Sequence, residues 1–256
     1  TGFNQGVPID HYLAFDKGIK FEPSSGESVD NYLIQAESIV STTISGSEKT
    51  VLRLLSQVED LGYSSARVHF LKSLVYHNLL RYKDSLQELN KCIAIEPLNY
   101  ECHINSAVNL ASLRRYSESV DASRKALSII RMALDQSIDL ENVLPFVHGS
   151  IIYAIALDNV GDVQGAKNEL YRAANILKTI PIEGIKAQFM PFILYRIFTF
   201  AKAEREFDVA EKLLFESISI RDNWLARFGL GKLYMEQNNF DLSSSNFQKA
   251  VSMNPY

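Results

Sequence analysis

The sequence predicts an all-α fold built from repeated helix pairs, and three observations predict it. Gly and Pro are sparse, at 12 and 7 of 256 residues. Apolar residues recur at helical spacing, and no stretch sustains the alternation of a half-buried strand. A short sequence pattern recurs along the second half and the middle of the chain at nearly regular intervals.

Taken in order, residues 1–26 lack helical periodicity and contain EPSSG, so they are expected to form an extended N-terminal segment. Phe3, Tyr12, Leu13, Phe15, Ile19 and Phe21 make that segment too apolar for a solvated tail. It is expected to pack on the first helices or in a groove. Residues 27–62 read as a degenerate or capping helix pair, with helices near 27–41 and 48–61. In the second, Val51, Leu54, Leu55, Val58 and Leu61 form one stripe closed by Gly62. Ser45 and Glu48 offer a capping box before it.

Downstream, an apolar residue is followed three places later by a small one: Tyr82/Ser85, Tyr116/Ser119, Val163/Ala166, Phe207/Ala210 and Phe240/Ser243. Seven places after each small residue comes another: Cys92, Ala126, Ala173, Ser217 and Ala250. The interval from Tyr82 to Tyr116 nearly equals that from Phe207 to Phe240, and the two middle intervals are longer. The extra residues fall around 134–146 and 179–190, read here as joints between units, where stacked repeats tolerate insertion.

This pattern resembles the tetratricopeptide repeat, a helix–turn–helix unit of about 34 residues. The resemblance implies a right-handed α-solenoid with five units near 66–99, 100–133, 147–180, 191–223 and 224–256. In the last unit Leu230, Gly231, Tyr234, Phe240, Phe247, Ala250 and Pro255 fall on signature positions, with Ser243 for the usual Ala and Arg227 for a large apolar residue. These residues carry no acid–base or metal chemistry. They are read as packing: Gly231 and Ala250 where helix axes approach closely, Tyr234 and Phe247 as filling, Phe240 as an anchor for the turn, Pro255 as a stop.

Other chemistry finds little support. A net charge of −4 argues against nucleic acid, which needs a basic face. No apolar run approaches a membrane span. GLGK at 229–232 lacks the upstream Gly and the following Ser or Thr of a phosphate loop. His69 and His103 stand in equivalent positions of adjacent units and are read as packing rather than metal ligands. Cys92 and Cys102 are read as buried thiols, a bridge between them being possible but poorly motivated. No catalytic constellation and no cofactor motif is expected. The chain carries no readable address, and the cytoplasm is the favoured expectation.

The resemblance further implies that the second, fifth, sixth and ninth residues of each unit line a concave surface. The candidate groove residues are Phe70, Leu74, Ile104, Asn105, Val108, Ile152, Ile155, Tyr195, Arg196 and Phe228. The two-carboxylate clamp that some family members use on chaperone tails is absent. Asn105 or Arg196 matches alone, and never with partners. The expected function is therefore noncatalytic binding of a peptide or amphipathic helix in an apolar groove. The alternatives are an assembly module whose groove is filled by its own N-terminal segment or a second copy, and a recruiting arm of a larger enzyme. Self-association through the last helix is expected, since Phe247, Ala250 and Val251 have no following helix to cover all of them.

Overall fold

The computed structural model describes residues 29–41, 47–135 and 140–254. They form twelve α-helices, and none of the described residues is in a strand. The helices are α1 (Val29–Ser41), α2 (Glu48–Asp60), α3 (Ala66–Asn78), α4 (Tyr82–Ile95), α5 (Tyr100–Ser112) and α6 (Tyr116–Leu134). They continue as α7 (Leu140–Asn159), α8 (Val163–Thr179), α9 (Glu183–Ala203), α10 (Phe207–Ile220), α11 (Trp224–Glu236) and α12 (Phe240–Met253). The chain divides into two compact units between Arg114 and Arg115.

In the first unit α1 and α2 pack on each other and on α3. Ala36, Leu54, Leu55, Val58, Val68, Leu71 and Val75 form one buried cluster there. Ser45, Pro255 and the expected N-terminal segment lie outside the described residues. The N-cap of α2 is Ser47, which makes no side-chain cap bond. Three first helices of later pairs, α3, α5 and α11, are capped by side chains: the Ser65, Asn99 and Asn223 oxygens accept from the Val68, Cys102 and Ala226 amides.

In the second unit α7 pairs with α8, α9 with α10, and α11 with α12. Here the reading of two joints is corrected. Much of 134–146 and 179–190 is helical, because α7 and α9 begin at Leu140 and Glu183, ahead of the repeat starts at 147 and 191. The added turns are held by burial: Val143 and Phe146 on α7, and Ile185, Phe189 and Met190 on α9, are packed from solvent. Pro145 and Pro191 are accommodated inside these helices.

A recurrent turn joins the two helices of a pair. Leu80, Arg114, Gly161, Arg205 and Asn238 all have φ between 58° and 84°. Counted from 66, 100, 147, 191 and 224, each is the fifteenth residue of its unit. In four of the five turns the next amide closes back onto the first helix: Arg81 to Tyr76, Asp162 to Leu157, Glu206 to Ala201 and Asn239 to Tyr234, at 2.8–3.0 Å. The left-handed conformation favours Gly or Asn, yet three of the five residues are Leu or Arg. Leu80 is 71% exposed, so its side chain contributes little packing. Leu80→Asn is expected to raise stability by about 0.5–1 kcal/mol in urea denaturation, with Leu80→Val lowering it.

Two polar pairs replace standard packing within the repeats. Ser85 and Ser243, at the usual alanine position, donate to the carbonyls of Ser73 and Gly231 at 2.7 and 2.9 Å. The second pair links the first helix of a unit to its second: His69 with Glu88, Ser150 with Glu169, and Arg227 with Asn246, the last at 3.4 Å. Leu194 and Leu213 fill the same two positions with apolar side chains. Arg227 thus stands in place of a large apolar residue by pairing with Asn246 and with Asp222. Burial pushes the Glu88 carboxyl up. Hydrogen bonds from Lys91 and His69 outweigh that and hold it below its usual value.

Cys92 and Cys102 are joined by a disulfide, which overturns their reading as free thiols. Spacing alone gives little reason for the pairing. It becomes feasible because the 96–99 turn folds the end of α4 back against the start of α5. Phe240 is also corrected: it is 64% exposed and does not anchor its turn from inside.

Candidate binding surface

The ten groove candidates lie on α3 and α5 in the first unit and on α7, α9 and α11 in the second. They differ in accessibility. Phe70, Leu74 and Ile104 are each 3% exposed and packed away from solvent. Asn105, Val108, Ile152, Ile155, Tyr195, Arg196 and Phe228 are partly exposed. Sequence spacing puts all ten at the fifth, sixth or ninth position of their units, but how far each is covered depends on the neighbouring helices.

Phe70 shows the cause. Arg67 stands over its ring at 5.7 Å and donates through Nε to Glu37 of α1 at 2.7 Å. The degenerate first pair therefore supplies a charge that fixes an arginine across the aromatic face. Ile104 sits on α5 beside a polar network. His77 Nδ1 and Asn109 Oδ1 share a hydrogen bond at 2.8 Å, and Asn109 donates to Ser85 at 2.8 Å. Asn105 donates to its own helix, at the Glu101 carbonyl, which directs its amide along α5.

In the second unit Tyr195 contacts Phe198 with ring centroids 5.4 Å apart, and burial pushes its phenol up. Arg196 donates to Asp158 of α7 at 3.0 Å, while its buried Nε has no acceptor. Its charge thus ties α9 to α7. Phe228 lies 5.7 Å from Phe247 of α12, and Lys232 stands over Phe228 at 5.0 Å. A lysine over an aromatic ring contributes roughly 0.5–1 kcal/mol when exposed. Sequence spacing does not single out Asp158 or Glu37, whereas Lys232 is the ninth residue of its unit and falls on the expected face. Charge complementarity between the first helices of successive pairs is the signal that points to Asp158 and Glu37.

His148, next to Gly149 on α7, is pushed down to about 4 by burial. Unfolded histidine titrates near 6.5. The folded chain therefore holds it neutral, and the unfolded chain binds the extra proton between those values. Stability is full above pH 6.5 and falls as pH drops toward 4. The ring keeps some solvent contact, so the loss expected from this residue is about 1–2 kcal/mol. Comparing pH-dependent melting of wild type with His148→Asn isolates it; equal slopes between pH 4 and 6.5 would remove His148 from the account.

Among the described residues no group of His, Cys, Asp and Glu could hold a metal ion. His69 is engaged by Glu88 and Ser64, and His103 by the Pro97 carbonyl. No described helix is long and apolar enough to cross a membrane.

Paired helices with a repeated turn and small residues at close approaches define an all-α repeat solenoid. The tetratricopeptide-repeat family model matches residues 66–97 and 226–256, so the chain is similar to that family over those two stretches. No curated protein sequence matches it. Solved structures share the fold at low identity. PilF of Pseudomonas aeruginosa is 15% identical with TM-score 0.65, over 89% of this chain and 92% of that one. PilW, a widely conserved type IV pilus biogenesis factor, is 14% identical with TM-score 0.68, over 91% and 96%. NprR in complex with its cognate peptide NprX is 11% identical with TM-score 0.61, over 91% of this chain and 68% of that one.

Proposed function

We propose that the chain is a noncatalytic module that binds an apolar or amphipathic peptide segment along the first-helix face of its second unit. The observation that carries this reading is the recurrence of partly exposed apolar side chains at groove positions of successive first helices: Ile152 and Ile155, Tyr195, then Phe228. Half-exposed aromatic and aliphatic groups gain most from a partner, because they still hold apolar surface to bury. A shared fold with NprR, seen with its peptide, supports a peptide as the occupant.

Selection from a random displayed-peptide library tests the reading. Enriched peptides are expected to be apolar or amphipathic, and Tyr195→Glu or Phe228→Glu is expected to weaken them at least tenfold with the fold intact. Absence of enrichment, or peptides indifferent to both changes, would reject it. A second reading, self-association through α12, is favoured by Val251 at 63% exposure beside exposed Leu242 and Met253. Light scattering over a concentration series separates the two: growth abolished by Val251→Lys supports self-association, and a constant monomer mass rejects it.

A further inference from the structure

We propose that the chain matures and works in an oxidising compartment, where thiol–disulfide exchange installs the Cys92–Cys102 bond as a permanent tie between α4 and α5. Cys92 lies in the last turn of α4 and Cys102 in the first turn of α5, with Cα atoms 6.4 Å apart. That separation lies within the range a disulfide spans. The sequence holds two cysteines, and both meet at this one joint.

The joint is shaped independently of the sulfur bond. The Asn99 side chain accepts from the Cys102 amide at 3.2 Å, and the Glu96 amide donates to the Cys92 carbonyl at 2.9 Å. His103 Nε2 bonds the Pro97 carbonyl at 3.0 Å, and the Ser106 hydroxyl donates to the Cys102 carbonyl at 2.8 Å. These contacts hold the turn between the two cysteines alongside the sulfur bond. Bridges of this kind persist where no thiol pool reduces them, as in secreted, periplasmic and surface proteins.

The chemistry needs an oxidant, and its class is a dithiol–disulfide oxidoreductase in the disulfide state. One cysteine thiolate attacks the oxidant's disulfide to give a mixed disulfide and release one oxidant thiolate. The second cysteine thiolate then attacks the mixed disulfide. The S–S bond of the product forms, the oxidant leaves as its dithiol, and two protons and two electrons pass from chain to oxidant. Cys92 and Cys102 are both 0% exposed in the folded chain. Exchange must therefore occur while the α4–α5 joint is open, before or during folding. Once closed, the tie is sheltered from reductant and holds α5, with Asn105 and Val108, against α4. This inference does not rest on the binding reading.

The test recovers the full chain from its source cells by acid quench, denatures it in an alkylating reagent and reads its intact mass. The expected result is a chain with no alkylated cysteine, two hydrogen masses lighter than the dithiol. A second measurement compares thermal midpoints of the recovered chain with and without prior reduction in denaturant. Reduction is expected to lower the midpoint by roughly 5–10 °C, and Cys92→Ala/Cys102→Ala to melt with the reduced chain and to ignore reductant. Two alkylated thiols in the quenched chain would overturn the proposal whatever the variant does. So would an oxidised midpoint unmoved by reduction.

Discussion

Ile104→Glu is expected to unfold the first unit, whereas Ile152→Glu leaves the chain folded. Both residues occupy groove positions in the repeat, but Ile104 is 3% exposed and Ile152 is partly exposed. At position 104 a carboxylate would replace a packed aliphatic side chain and lose its hydration. The lost apolar burial alone removes about 2 kcal/mol. A buried carboxyl adds several more, even if it escapes ionisation by taking up a proton. The sum, above roughly 4 kcal/mol, is a large part of the stability of a domain. At position 152 the longer side chain can turn to solvent, and the expected cost stays below about 1.5 kcal/mol. Urea denaturation followed by circular dichroism distinguishes the two. Collapse of both variants would make the groove positions core in both units, and survival of Ile104→Glu would show that α5 yields at that site.

Gly231→Ala is expected to destabilise the last helix pair by about 1–2 kcal/mol, while Gly229→Ala, on the same helix, costs less. A Cβ at 231 would stand 2.6, 2.7 and 2.9 Å from three ring atoms of Phe247. A ring face cannot retreat without moving α12, and overpacking of this kind costs about 1–3 kcal/mol. Replacing a mid-helix glycine by alanine returns up to ~1 kcal/mol of helix propensity, which leaves the net loss. At 229 the nearest atoms are the Leu214 methyls at 2.7 and 3.1 Å, which can change rotamer, with Phe198 at 3.3 Å. Gly231→Ala/Phe247→Leu should recover much of the loss in the same denaturation assay. If Gly231→Ala matches wild type, the close approach of α11 and α12 is not what requires glycine there.

Some of this architecture is legible in sequence because the physics is local. The stripe Val51, Leu54, Leu55, Val58 and Leu61 marks α2; the first four are buried as the spacing implies, whereas Leu61, at the C-cap, is 54% exposed. Gly231 opposite Phe247 can be read across a single turn, since a helix–turn–helix unit sets which residues face each other. The insertions read as joints because a helix start is a weak local signal, and burial of Val143, Phe146, Ile185 and Phe189 extends α7 and α9 beyond the repeat boundary. The left-handed turn residue is invisible in Leu80, Arg114 and Arg205, whose side chains give no hint of φ near 60°. Only Gly161 and Asn238 carry the expected chemistry.

The sequence by itself determined the helical period, the spacing of the repeats and the small residues where helices meet, because each depends on side chains a turn or a hairpin apart. Tertiary structure decided what depends on distant segments. It joined Cys92 to Cys102 through a folded turn, placed Glu37 opposite Arg67 and Asp158 opposite Arg196, and buried Ile104 while leaving Ile152 partly open. Periodicity fixes which face of a helix a residue occupies. How much of that face a neighbouring helix covers is set by packing between elements, which no local spacing contains.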